Sequence, residues 1–166
     1  QGIPLVGGSA LNVSAANESP AMNYGYYNAL WISISSTVSP QQRAHANFVY
    51  DANSQASVFF GGCGAFLTTN FNVQTPCTNV LGDTWTWDGQ NWTEYTGTGP
   101  SPRSGASMVY DPQRRRVILF GGRQDPASPN GGISNDLWEW DGVQWLEITP
   151  QGDIPEERAF HGMDYM

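Results

Sequence analysis

Ser101-Pro102-Arg103-Ser104-Gly105-Ala106-Ser107-Met108-Val109-Tyr110-Asp111 is followed by Arg116-Val117-Ile118-Leu119-Phe120-Gly121-Gly122, by Asn135-Asp136-Leu137-Trp138-Glu139-Trp140-Asp141-Gly142, and by Val143-Gln144-Trp145-Leu146-Glu147-Ile148. These are four short apolar runs separated by turn residues. Each has strand length and is rich in Val, Ile, Trp, Tyr and Phe, which suit a half-buried pleated surface. Helical periodicity is nearly absent, and 19 Gly and 11 Pro punctuate the runs. The fold class read from this pattern is all-β.

The pattern recurs along the chain. Paired glycines stand at Gly7-Gly8, Gly61-Gly62 and Gly121-Gly122. Arg43, Arg103 and Arg158 each precede a tyrosine by seven residues: Tyr50, Tyr110 and Tyr165. Trp85-Thr86-Trp87-Asp88-Gly89 with Trp92 matches Trp138-Glu139-Trp140-Asp141-Gly142 with Trp145, and Tyr24-Gly25-Tyr26-Tyr27-Asn28 with Trp31 is a weaker copy. The arginines are 60 and 55 residues apart. A period near 50 residues made of short strands indicates a propeller or a similar array.

With these residues in view, the chain resembles the kelch repeat, whose blades carry an Arg-led first strand, a second strand ending in Gly-Gly, a third strand with spaced aromatics and a Trp in the fourth. The resemblance covers nearly the whole chain. It implies a kelch-type β-propeller with blades of four antiparallel strands: two complete blades plus one blade split between the N- and C-termini. Residues 1–35 read as strands two to four of the split blade, 43–96 and 103–149 as whole blades, and 158–166 as the first strand of the next or of a partner's blade. The expected strands are Ile3–Val6, Asn23–Tyr27 and Leu30–Ile34. They continue as Arg43–Tyr50, Ser57–Phe60, Asp83–Trp87 and Asn91–Tyr95, then Arg103–Tyr110, Arg116–Phe120, Asn135–Trp140 and Gln144–Ile148, with Arg158–Tyr165 last.

Twelve strands make three blades' worth, whereas closed propellers have about four to eight blades. A split blade leaves an exposed edge, which folded proteins avoid. The expectation is therefore strand complementation. Phe160, Met163 and Tyr165 of one chain pair with Ile3, Leu5 and Val6 of another, giving a dimer that closes a six-bladed ring, or a filament where the rotation does not close. The alternative is that the chain is a piece of a longer propeller.

Composition narrows the partners. A net charge of −8 argues against nucleic acid, since a duplex binder carries a basic stripe. The one basic run, Arg114-Arg115-Arg116, falls at an expected strand-to-strand turn and reads as solvated. No run of about 18 apolar residues exists, so no membrane span is expected. Cys63 and Cys77 share one loop, and that loop is longer than its counterparts: 23 residues separate Gly62 from Trp85, against 16 from Gly8 to Tyr24 and from Gly122 to Trp138. A disulfide is the simple reading and two free thiols the alternative; two cysteines without a nearby histidine are too few for a metal site. A disulfide implies an oxidising compartment, hence a secreted protein. The sequons at Asn12, Asn17 and Asn91 agree as possible glycosylation sites. No signal-like stretch is present, which reads as a mature form starting at Gln1.

Repetition supplies an internal control for chemistry. The recurring arginines, tyrosines and tryptophans read as scaffold. Asp51 and Asp111 are expected to cap their own turns, Asp88-Gly89 and Asp141-Gly142 to form tight hairpins, and the paired glycines to let a strand end pass close to another backbone. His45 and His161 do not share a register and read as structural, and Asp136 and Asp153 as exposed turn acids. Some kelch-like propellers are copper-dependent carbohydrate oxidases; two cysteines in one loop and two histidines leave little to assemble that site here. No catalytic, metal or cofactor residues are assigned. The expected function is a non-catalytic secreted binding or structural module acting as scaffold, adhesion unit or filament subunit. Loops between second and third strands offer contacts to a protein or glycan, with Phe66, Phe71 and Val73 as candidate binding residues or as groups tucked onto their own blade. The competing readings are a domain of a glycan-active oxidase or hydrolase and a lectin-like propeller.

Overall fold

The structure, a computed structural model, describes residues 36–66, 77–124 and 132–166. Among these residues the chain is all-β with no helix. β1 (Asn47–Asp51), β2 (Ala56–Phe66), β3 (Cys77–Trp87) and β4 (Trp92–Tyr95) form one antiparallel sheet in the order β1-β2-β3-β4. β6 (Ser107–Asp111), β7 (Arg116–Phe120), β9 (Leu137–Trp140) and β10 (Trp145–Ile148) form a second with the same path, and β5 (Arg103–Ser104) pairs with β8 (Arg123–Gln124) beside it.

Matching turns build the two sheets. At the β1–β2 turn, Asp51 Oδ1 accepts the backbone N–H groups of Asn53 and Ser54, at 2.9 and 3.4 Å. At the β6–β7 turn, Asp111 Oδ1 accepts those of Gln113 and Arg114, at 2.9 and 3.0 Å. Both turns close on a left-handed residue, Gln55 (φ 56°) or Arg115 (φ 57°). The hairpins between third and fourth strands use Asp88 and Asp141 as the same kind of local acceptor, with Gly89 and Gly142 at φ 100° and 98°. An Asp followed by Gly supplies both the acceptor and the positive φ that a tight hairpin needs.

β4, β9 and β10 begin one or two residues later than expected, and three larger differences stand out. The first strands begin at Asn47 and Ser107 rather than at the arginines, because His45 and Gly105 take φ of 57° and 63° and interrupt the ladder. The first sheet's central hairpin is longer than expected. β2 runs through the glycines to Phe66 and β3 begins at Cys77, so both ends of the anticipated Cys63–Gly82 loop are strand, with register shifts after Phe60, Cys63 and Ala65. A Cys63–Cys77 disulfide staples this extension, Cα to Cα 5.7 Å apart. Finally, Arg158–Tyr165 carries no ladder among the described residues, although cover alternates residue by residue from Ala159 to Met166 as in a strand with one face shielded. The expected strands before residue 36 lie outside the described residues.

The core lies between the sheets. Val58 and Phe60 of β2 meet Met108, Val117, Leu119, Trp140 and Trp145 of the second sheet, all nearly excluded from solvent. Strand alternation explains the sidedness. Val117 and Leu119 face the first sheet, while the intervening Ile118 points to the opposite face. The aromatic contacts across this seam are Tyr95 on Trp140 at 5.0 Å and Phe60 on Trp145 at 5.7 Å between ring centres. The Trp145 indole N–H donates to Thr84 Oγ1 at 2.9 Å, so the one polar atom of that ring is satisfied inside the seam. A smaller cluster of Trp85, Trp87 and Trp92 with Phe59 covers the other face of the first sheet.

Candidate functional site

A three-residue unit occurs in both repeats. In the first, the Arg43 guanidinium makes a two-pronged contact with Asp83: Nη1 pairs with Oδ1, and Nη2 donates to Oδ2 at 2.7 Å. Nη1 also donates to the Gly61 carbonyl at 3.2 Å, Nε donates to the Gln41 carbonyl at 3.1 Å, and the Trp85 indole N–H donates to Asp83 Oδ2 at 2.7 Å. In the second, Arg103 repeats every bond: Nη1 and Nη2 to Asp136, Nη1 to the Gly121 carbonyl at 3.0 Å, and Nε to the Ser101 carbonyl at 3.0 Å. The Trp138 indole again donates to the carboxylate, at 2.8 Å. Planar guanidinium and planar carboxylate match two by two, so the unit fixes direction as well as charge.

The electrostatics follow. Burial works to raise the Asp83 carboxyl, but the hydrogen bonds from Arg43 and Trp85, with the Arg43 charge, outweigh it and hold its pKa below the ordinary value. Asp136 behaves alike: burial raises, while Arg103 by hydrogen bond and by charge, then Trp138, lower, and the net is downward. Both acids are therefore fixed anions inside the scaffold. This corrects the expectation for Asp136, which is an ion-pair partner of a buried arginine rather than an exposed turn acid. Its place two residues before Trp138, matching Asp83 before Trp85, was the available signal. Asp153 is exposed, as expected.

A second unit joins one repeat to the next. Gly61 and Gly121 have φ of 64° and 69°, and a Cβ on either would collide with the carbonyl oxygen of Arg103 or Arg158 respectively. Each arginine's main chain is thus seated on the paired glycines of the preceding sheet. Two residues on, the backbones form a relay. The Gly105 N–H donates to the His45 carbonyl at 3.0 Å, and the Phe160 N–H donates to the Gly105 carbonyl at 2.6 Å. His45, Gly105 and Phe160 all take left-handed φ, at 57°, 63° and 58°. The segment after Arg158 is further tied down by Gly122 N–H to the Arg158 carbonyl (2.8 Å) and Arg158 N–H to the Ser134 carbonyl (3.2 Å).

The candidate residues sort as follows. Cys63 and Cys77 are joined. Phe66 ends β2, its backbone opposite Cys77; Phe71, Val73, Asn12, Asn17, Ile3, Leu5 and Val6 lie outside the described residues. Asn91 is exposed at the β3–β4 hairpin. The Phe160 ring is 61% exposed and meets His45 edge-on at 5.2 Å, so it belongs to the contact between repeats. Met163 and Tyr165 fall on the partly covered side of the alternating segment. His161 also lies on that side, against Phe120 at 5.7 Å, with neither ring nitrogen hydrogen-bonded; burial first, and then the Arg158 charge, push its pKa below the ordinary value.

Both outer faces of the sheet pair are incompletely covered. Met108 is 8% exposed beneath the first sheet, whereas Phe48, at the same register of the first sheet, is 49% exposed. On the far side of the second sheet, Leu146 is 42% exposed. Among the described residues no group of three or more His, Cys, Asp or Glu side chains is placed to hold a metal ion. No protein-family model matches the chain, and no curated protein matches it.

Proposed function

We propose that the two four-stranded sheets are kelch-type blades of a β-propeller, and that the chain is a non-catalytic, secreted structural or binding module that works by stacking blade on blade. One observation carries this reading. The Arg158 carbonyl sits on Gly121 of the second sheet as the Arg103 carbonyl sits on Gly61 of the first, and Phe160 N–H donates to Gly105 as Gly105 N–H donates to His45. The stacking rule therefore extends past the second sheet, and residues 158–165 take the place of a first strand. In each of the two described sheets a first strand is joined by three more, and an open strand edge invites pairing.

In this reading a second copy supplies them through Ile3, Leu5 and Val6, closing a six-bladed ring, or building a filament where the rotation does not close. The Cys63–Cys77 disulfide suits an oxidising, extracellular setting. The non-catalytic assignment is supported by the occupation of the reactive groups in scaffold: Asp83 and Asp136 hold arginines, Asp51 and Asp111 cap turns, and both cysteines are oxidised. Light scattering across a concentration series tests the assembly. We expect a species of at least twice the chain mass; a folded monomer of 18.1 kDa at every concentration overturns it.

A further inference from the structure

We infer that Asn91 is an N-glycosylation site, and that its place in the repeat keeps the sugar clear of the contact between sheets. The inference rests on the reading that the chain is secreted, and not on its assembly.

The sequon is Asn91-Trp92-Thr93. Asn91 ends the hairpin ahead of β4, and Trp92 and Thr93 open that strand. Alternation along a strand sends Asn91 and Thr93 to one side and Trp92 to the other. Trp92 is buried, its ring 5.3 Å from that of Trp87 and 5.7 Å from that of Phe59, while Asn91 and Thr93 are exposed. The amide and the hydroxyl that a sequon requires therefore face water together. The backbone is fixed independently of the side chain to be modified. Asp88 Oδ1 accepts the Asn91 N–H at 2.7 Å, and the Asn91 carbonyl accepts the Asp88 N–H at 3.3 Å. The Asn91 carboxamide also hydrogen-bonds the Asp88 carboxylate, which is itself exposed.

The second repeat is an internal control. Gln144 and Leu146 stand where Asn91 and Thr93 do, so that hairpin has no sequon. It shows what packing does to the position. A Cβ on Gly142 would lie 3.6 Å from Ser54 and 3.7 Å from Asp51 at the β1–β2 turn, so this hairpin rests on the neighbouring sheet. Gln144 nevertheless stays exposed, and Leu146 is 42% exposed. A sugar at the matching place on the first sheet thus remains in water even where a sheet packs beside it. The glycine seat lies at the other end of the strands: Ser57 pairs with Trp87 beside the Asn91 hairpin, whereas Gly62 pairs with Leu81. In the modification, Asn91 Nδ2 attacks the anomeric carbon of a lipid-linked oligosaccharide pyrophosphate. The N–C bond forms as the C–O bond to pyrophosphate breaks, the lipid pyrophosphate leaves, and the amide proton passes to a base of the transferase. The bulky, solubilising product sits on the surface.

The test is to express the full chain behind a secretory leader in a eukaryotic host, release sugars with a peptide N-glycosidase in heavy-oxygen water, and map the peptides by mass. The glycosidase turns a sugar-bearing Asn into heavy-oxygen-labelled Asp. We expect label at Asn91 in the wild type, its loss in Asn91→Gln and Thr93→Ala, and its retention in Thr93→Ser. Asn91→Gln installs the residue that the second repeat already carries there, so it should keep the wild-type urea midpoint and oligomeric state. No label at Asn91 in the wild type, or label that survives Thr93→Ala, overturns the site. A changed oligomeric state in Asn91→Gln overturns the placement clear of the sheet contact. The secreted reading is judged by where the chain goes. Label at Asn91 on chain retained in the cell keeps the site and removes the secreted reading. Exported chain without label does the reverse, and retained, unlabelled chain removes both.

Discussion

The seam between the two sheets and the seat of residues 158–161 share one backbone design but differ in their side chains. At the first, the carbonyl of Arg103 rests on Gly61, and the Arg103 guanidinium is closed over Asp136 of its own sheet. At the second, the carbonyl of Arg158 rests on Gly121, while the guanidinium stays exposed. The difference separates two steps that the first seam merges. Residues 158–161 are seated through main-chain groups and paired glycines, with the Phe160 and His161 rings against His45 and Phe120. Burying the guanidinium goes with an aspartate just ahead of the tryptophan-bearing strand, as Asp83 and Asp136 show.

The sharpest way to break this comparison is to remove the arginines one at a time. Arg103→Ala leaves the half-buried Asp136 without its partner, and should cost about 3 kcal/mol, the low end of the range for a fully buried pair. Arg158→Ala should cost under about 0.5 kcal/mol, the range of an exposed surface change. Urea unfolding of each variant decides; equal losses would mean that both arginines are already locked.

Next in size is the staple that only the first sheet possesses. Cys63 and Cys77 lie 14 residues apart, and Cys63→Ser/Cys77→Ser should lower stability by about 3 kcal/mol in the chain-entropy model. Hydrogen exchange should show the loss concentrated in the β2–β3 hairpin. Uniform loss across both sheets would show that the hairpin extension is not an independent unit.

The glycine seats should respond less, and differently from one another. Gly61→Ala and Gly121→Ala each impose a left-handed residue and a clash with a carbonyl. Each should destabilise by more than about 1 kcal/mol where the opposing chain is held in place. We expect Gly61→Ala to lower the global unfolding midpoint, because it parts the two sheets. Gly121→Ala should chiefly release residues 158–166, read as faster amide exchange there.

The smallest effects are set by pH. Asp83 and Asp136 have lowered carboxyl pKa values, so their contribution is complete above the unfolded value of about 3.9 and is lost as pH falls below it. His161 is also lowered, so its burial favours folding above its unfolded pKa near 6.5 and weakens as pH falls past that point. The first seam has Ala106 at that position. Between pH 7.5 and 5.5, exchange corrected for intrinsic rate should rise in residues 158–166 and stay level in β6. A parallel rise in both would remove His161 as the cause.

Much of the architecture was legible because it is local. Arg116–Phe120 is a strand with the expected bounds, since a β-branched and apolar run between an Asp-led turn and two glycines has one easy conformation. Asp51, Asp88, Asp111 and Asp141 cap the turns that their spacing suggested, because a side chain two residues away needs no distant help. The late starts of β1 and β6 were not legible. His45 takes a left-handed φ where its carbonyl accepts from Gly105 of the next repeat, sixty residues on. Asp136 was hard to read for the same reason: its partner Arg103 is 33 residues away, and the nearby signal is its place two residues before Trp138.

By itself the sequence determined the strand period and the turn chemistry and made a Cys63–Cys77 disulfide the simple reading, all of which depend on neighbours within a hairpin. Only the tertiary structure decided which arginines are buried on an aspartate and which is exposed. Burial and ion pairing belong to groups brought together from different strands: Arg43 and Arg103 each meet an aspartate and a glycine carbonyl, whereas Arg158, at the same sequence register, is exposed.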